Sequence, residues 1–215
     1  MLRRLASATA LVVVPVLALS VVPAHAGSWS APDPVGDAAT ISYDPEPQPC
    51  GTLVEVPSRE GDLRRVSVRH TADRVLVRLD VTGLVAARRT TAEITVATPS
   101  KAYSVTITKP RRRVVVDLTP FPAIDEDDVN ECGSYFYGSA VRSCRGSSGS
   151  IQTARDRITL SLPRRCLGGI PRWVQVGAYT YAGAGEDMTF DQWVPRGWDG
   201  DYLAPIVGRK VFAPR

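Results

Sequence analysis

The sequence predicts an all-β protein, an antiparallel β-sandwich stapled by disulfides, and three observations carry that expectation. Apolar and polar residues alternate with period two in many short stretches. Pro, Gly and β-branched residues recur so often that no window holds a helical stripe. Four cysteines, Cys50, Cys132, Cys144 and Cys166, follow an export-type leader, the setting in which an even count reads as two disulfides. Jelly-roll and immunoglobulin-like connections both fit the strand spacing.

Residues 1–26 have the three parts of a secretion signal. Arg3 and Arg4 precede a short apolar run from Leu11, and Ala24-His25-Ala26 forms a small-x-small cleavage site. Pro15 and the short run argue against an uncleaved anchor, and no Cys follows Ala26 to carry lipid. No later stretch reaches the roughly 20 apolar residues of a spanning helix. The expected mature chain is therefore secreted and begins at Gly27. Residues 27–62, rich in Pro, Gly and Asp, read as an extended segment packed on a single sandwich domain over 63–215.

The domain's strands follow in order. Val66, Val68 and His70 alternate with polar neighbours, and Val75, Val77, Leu79 and Val81 do the same. The intervening Thr71-Ala-Asp-Arg makes the two runs a hairpin with one buried face. Further strands are expected at 92–98, 102–108, 113–118, 150–154, 157–162, 173–181 and 188–194. Residues 119–150 form the one long irregular stretch, acidic and then Gly/Ser-rich.

Losing Arg3 and Arg4 leaves 24 basic against 22 acidic residues, a net charge of +2 for about 189 residues. So small an excess excludes a nucleic-acid binder driven by a basic face. At 44% hydrophobic and 7% aromatic the chain is globular rather than disordered. Its 23 Arg against 3 Lys, with one Asn, suggests a high-GC bacterial genome. Zinc competes with disulfides for the cysteines, but no Cys-x-x-Cys pair occurs and His70 is the only mature histidine. The expected pairing is Cys132–Cys144 as a local clip and Cys50–Cys166 as a long-range staple, with two other connectivities allowed by arithmetic.

Asp33-Pro-Val-Gly-Asp37, then Gly61-Asp62-Leu-Arg-Arg-Val-Ser-Val and the strand Arg74-Val-Leu-Val-Arg-Leu-Asp-Val, resemble the opening of DOMON-like β-sandwiches. These include the family-nine type of carbohydrate-binding module. The contexts Pro47 to Gly51, Glu131 to Gly133, Cys144 to Gly146 and Arg164 to Gly168 are also similar to those of a group of exported actinobacterial proteins. Both resemblances imply a sandwich. Neither implies a particular activity.

Among candidate sites, Asp33 and Asp37, with Asp44, are the expected calcium ligands. A tight Asp-x-x-Gly-Asp turn can aim two carboxylates and a carbonyl at one point. The competing reading is an Asx-type turn bonding its own backbone. Asp125-Glu-Asp-Asp128 with Glu131 lacks the spacing of an EF-hand loop and reads as a solvated loop. His70 shares the inward phase of Val66 and Val68 and is expected to pack rather than catalyse. No Gly-x-Ser-x-Gly, His-Glu-x-x-His or P-loop occurs.

Trp198 and Tyr202, flanked by Arg196 and Asp199, are the expected ligand contacts, because sugar rings stack on indole and phenol while the polar neighbours bond hydroxyls. Trp193 continues a strand and is expected in the core. Lys109-Pro-Arg-Arg-Arg113 reads as charge guarding an edge strand. The functional expectation is an exported, non-enzymatic sandwich binding a glycan or another envelope ligand, with no cofactor beyond a structural Ca²⁺. The alternatives are a secreted carboxylate-dependent hydrolase and a protein-interaction or inhibitor module.

Overall fold

A computed structural model describes residues 27–44, 52–85, 89–109, 113–121, 142–183, 188–195 and 206–214. Thirteen strands are found there: β1 (Gly27–Pro32), β2 (Ala39–Asp44), β3 (Thr52–Pro57), β4 (Asp62–His70), β5 (Arg74–Thr82), β6 (Thr90–Ala97) and β7 (Ala102–Thr108) come first. Then follow β8 (Val115–Pro120), β9 (Ser148–Gln152), β10 (Arg157–Pro163), β11 (Trp173–Ala182), β12 (Met188–Gln192) and β13 (Val211–Phe212). All their pairings are antiparallel. Helical structure among the described residues is confined to two single 3₁₀ turns, Thr153–Arg155 and Arg164–Cys166, so no helix is long and apolar enough to cross a membrane.

The strands form two sheets. One runs β1-β4-β5-β10-β9, and the other β3-β2-β12-β11-β6-β7-β8, with β13 also paired to β11. Alternation explains the sandwich. Val66 and Val68 of β4, Val75, Val77 and Leu79 of β5, and Ile158, Leu160 and Leu162 of β10 turn to one side. Ile94 and Val96 of β6, Val105 and Ile107 of β7, and Val174 and Val176 of β11 meet them in one cluster. Each such side chain contributes about 1.5–3 kcal/mol by leaving water.

The hairpin expected around Thr71-Ala-Asp-Arg is β4–β5, closed by Thr71 N–H donating to the Arg74 carbonyl at 2.8 Å. The described parts of residues 27–62 supply β1 to the first sheet and β2 and β3 to the second. The charged Lys109–Arg113 stretch leads into β8, an edge strand as expected, though 110–112 lie outside the described residues.

One glycine marks a close approach. The chain at 206–208 crosses β11, with Gly208 N–H bonded to the Val176 carbonyl at 2.9 Å. A Cβ on Gly177 would overlap the Ile206 carbonyl, so only glycine lets this strap lie flat on the strand.

The cysteine pairing is a correction. Cys144 bonds Cys166, with Cα atoms 5.9 Å apart, in place of the expected Cys132–Cys144 and Cys50–Cys166 pairs. The reason is register. β9 and β10 pair with Ser148 opposite Ser161, so the residues just before β9 and just after β10 come together. Sequence nearness of Cys132 to Cys144 carries less weight than that alignment. Cys50 and Cys132 lie outside the described residues.

Candidate metal centre

At one end of the sandwich, carboxylates from three distant parts of the chain converge. Asp33 follows the last residue of β1 and opens the turn to β2, and Asp37 closes it. Gly36 takes a left-handed φ of 78°, and its N–H donates to Asp62 Oδ1 at 2.9 Å. The turn is thus held by the first residue of β4 rather than by its own side chains.

A β-bulge prepares that residue. The β4–β5 register shifts between Leu63 and Arg65, so Asp62 and Leu63 are both buried while Arg64 and Arg65 are both exposed. The Arg64 carbonyl is left to accept the Asp33 N–H at 3.0 Å. The Leu63 N–H turns inward and donates to Asp191 Oδ2. Asp191 Oδ1 takes the Gln192 N–H at 2.8 Å. Asp191 occupies an inward position of β12, between Thr189 and Trp193, where a core strand ordinarily carries an apolar residue.

Trp193 walls the centre. It is 3% exposed, its indole N–H donates to the Pro32 carbonyl at 3.2 Å, and it meets Trp29 edge-on at 5.1 Å. The core position expected for Trp193 is the one found.

One oxygen each from Asp33, Asp37 and Asp191 lies within 4.8 Å of the others. Asp33 is 6% exposed and Asp191 4%, while Asp37 stays open to solvent. Neither Asp33 oxygen accepts a hydrogen bond of normal geometry. Burial, reinforced by the charges of Asp191 and Asp37, pushes the Asp33 carboxyl up to about 8, tempered by the nearby Val194 N–H. Burial raises Asp191 to about 6 against the pull of the Leu63 N–H. Asp37 is raised as well, first by burial. The only charges acting on these three groups, among the described residues, are other carboxylates.

Such a constellation is costly without a cation, since like charges in a poorly solvated place resist ionisation. The donor set is all oxygen, which suits a hard cation. The three oxygens lie within 4.8 Å of one another, close enough to share one such ion.

Of the three expected ligands, the structure brings Asp33 and Asp37 together and places Asp44 elsewhere. Asp44 ends β2, five residues beyond Ala39 at the turn, about 17 Å along the strand, opposite Thr52. Its place is taken by Asp191, because β12 pairs with the start of β2 through Phe190 and Ala39. A sequence signal for Asp191 did exist. It lies two residues before Trp193, in the same period-two phase as that core residue. The expected ligand contacts Arg196, Trp198, Asp199 and Tyr202, and the acidic stretch 125–131, lie outside the described residues.

Fold and centre together define an all-β sandwich with a buried oxygen-donor site at one end. No family model matches the chain, and neither a curated protein nor a solved structure does.

Proposed function

We propose that this chain is an exported, non-enzymatic β-sandwich that binds a divalent cation, calcium by preference, through Asp33, Asp37 and Asp191. The ion joins the β1–β2 turn to β12 and, through Asp62 and Leu63, to β4. It thereby clamps the two sheets at that end. The observation that carries this reading is Asp33. A buried carboxylate with no hydrogen bond of normal geometry, facing two more carboxylates and no cationic side chain among the described residues, lacks the partner that buried charge requires. Export is supported by the leader pattern and by the Cys144–Cys166 bond, which belongs to oxidising compartments.

The raised carboxyls would also suit a carboxylate-dependent hydrolase, in which Asp33 keeps a proton to donate. Burial of Asp33 and Asp191 disfavours it, because a scissile bond must reach both groups. Calorimetric titration of the mature protein with calcium tests the cation reading. One ion per chain is expected in the native protein, and none in Asp33→Asn or Asp191→Asn. Unchanged heats in both variants would overturn it.

A further inference from the structure

The second place where the sheets present an organised surface is the outer face of β1-β4-β5-β10-β9, remote in role from the cation centre. Two rows cross all five strands. One reads Ser28, Arg69, Leu76, Ser161 and Ser148; the next reads Ser30, Ser67, Arg78, Thr159 and Ser150. Strands stand about 4.8 Å apart, so each row spans about 19 Å. Together with Arg209 from the crossing strap they line an open groove of about 910 Å³.

The chemistry of that groove is specific. Its lining holds seven Ser and Thr side chains, three arginines and no acid. Four of the hydroxyls are paired across strands, Ser30 with Ser67 at 2.9 Å and Ser150 with Thr159 at 2.8 Å, and Ser161 accepts from Arg74 Nε at 2.6 Å. Each pair is held in place yet keeps acceptor and donor capacity toward solvent. Asp80, on the outer side of β5, is taken up by Arg78 at 2.8 and 2.9 Å and by Arg157 at 3.3 Å. Arg69 and Arg209 are exposed and form no ion pair or side-chain hydrogen bond among the described residues. Both guanidinium forks are therefore available to a carboxylate in the bidentate manner Arg78 shows with Asp80.

We infer that this face binds a linear, carboxylate-bearing polysaccharide, its sugar hydroxyls on the serine rows and its carboxylates on Arg69 and Arg209. A shallow groove crossing five strands fits an extended polymer better than a small molecule. Nucleic acid is disfavoured because the one aromatic residue of the groove lining, Trp29, turns its ring inward against Trp193 instead of offering it to bases. A second copy is disfavoured because this face would set arginines against arginines. The inference uses none of the acidic cluster, so it stands apart from the cation reading.

Affinity electrophoresis and calorimetry with polygalacturonate in chelator, at low ionic strength, keep the two readings separate. The expected result is binding that weakens with salt and falls by at least about tenfold in Arg69→Ala/Arg209→Ala, the loss of two charge-assisted contacts. The melting temperature of that variant should match the native protein, since neither guanidinium bonds to the fold. Neutral dextran should not bind. The inference is overturned by an unchanged affinity in the double variant, by equal retention of dextran, or by equal or tighter binding of a single-stranded oligonucleotide. Dimerisation abolished by the same variant would overturn it too.

Discussion

Asp33→Asn preserves the shape of the buried side chain and removes the charge that its surroundings penalise. In metal-free protein the folded Asp33 carboxyl holds its proton up to about 8, against 3.8 in the unfolded chain. Between those values the unfolded chain has released the proton and the folded chain has not, so stability falls as pH rises from about 4 to about 8 and levels off above. At about 1.4 kcal/mol per pKa unit, the gap caps that loss at roughly 6 kcal/mol. Water reaching the centre past exposed Asp37 screens the charges, and the expected loss is about 2–3 kcal/mol. The variant should escape it. In chelator it should match the native protein near pH 4 and exceed it by about 2–3 kcal/mol at pH 8.

Calcium should reverse the order. At 100-fold excess over Kd the native protein gains about 2.7 kcal/mol, or about 5–10 °C in melting temperature for a domain of this size, and the variant gains almost nothing. Urea unfolding followed by tryptophan fluorescence, at pH 4, 6 and 8 with calcium or chelator, reads all of this. The reasoning is refuted if metal-free stability is flat across that range and calcium moves both proteins equally.

Further predictions concern the frame around the centre. Peptide mapping without reduction should recover Cys144 joined to Cys166, and any second bond can then only be Cys50–Cys132; recovery of Cys132–Cys144 would contradict the β9–β10 register. Trp193→Ala should cost about 3–5 kcal/mol as a large buried aromatic, and should also weaken calcium binding, since the indole holds the Pro32 carbonyl beside Asp33; a loss below about 1 kcal/mol would refute its place as a wall. His70 is fully buried, with Nδ1 bonded to the Val211 carbonyl at 2.9 Å, and burial holds its pKa below the ordinary 6.5. Its ring resonances should therefore titrate below that value, and an ordinary or raised midpoint would place it in solvent.

Much of the fold was legible because burial acts locally. The phases of Val66, Val68 and His70, or of Val75, Val77 and Leu79, follow from which side chains leave water, and they emerge as the inner faces of β4 and β5. β1 was hidden because Gly, Trp and Ala on its inner face alternate with Ser and Pro, a weak contrast that only pairing with β4 stabilises. β13 has two residues, too few for any period.

The candidate centre divides in the same way. The turn that brings Asp33 near Asp37 was readable, because Pro34 and Gly36 act over a few bonds. The inward phase of Asp191 was readable beside Trp193, but its meeting with Asp33 was not, since nothing near it in the chain says that β12 lies beside β2 and over the bulge at Leu63. By itself the sequence determined what is set by neighbours: strand periods, turns, the buried phase of Trp193 and the export pattern. Tertiary structure alone decided which carboxylates meet and which cysteines bond. Those outcomes depend on which strands pair and in what register, and that is set by the packing of two whole sheets rather than by any single stretch of chain.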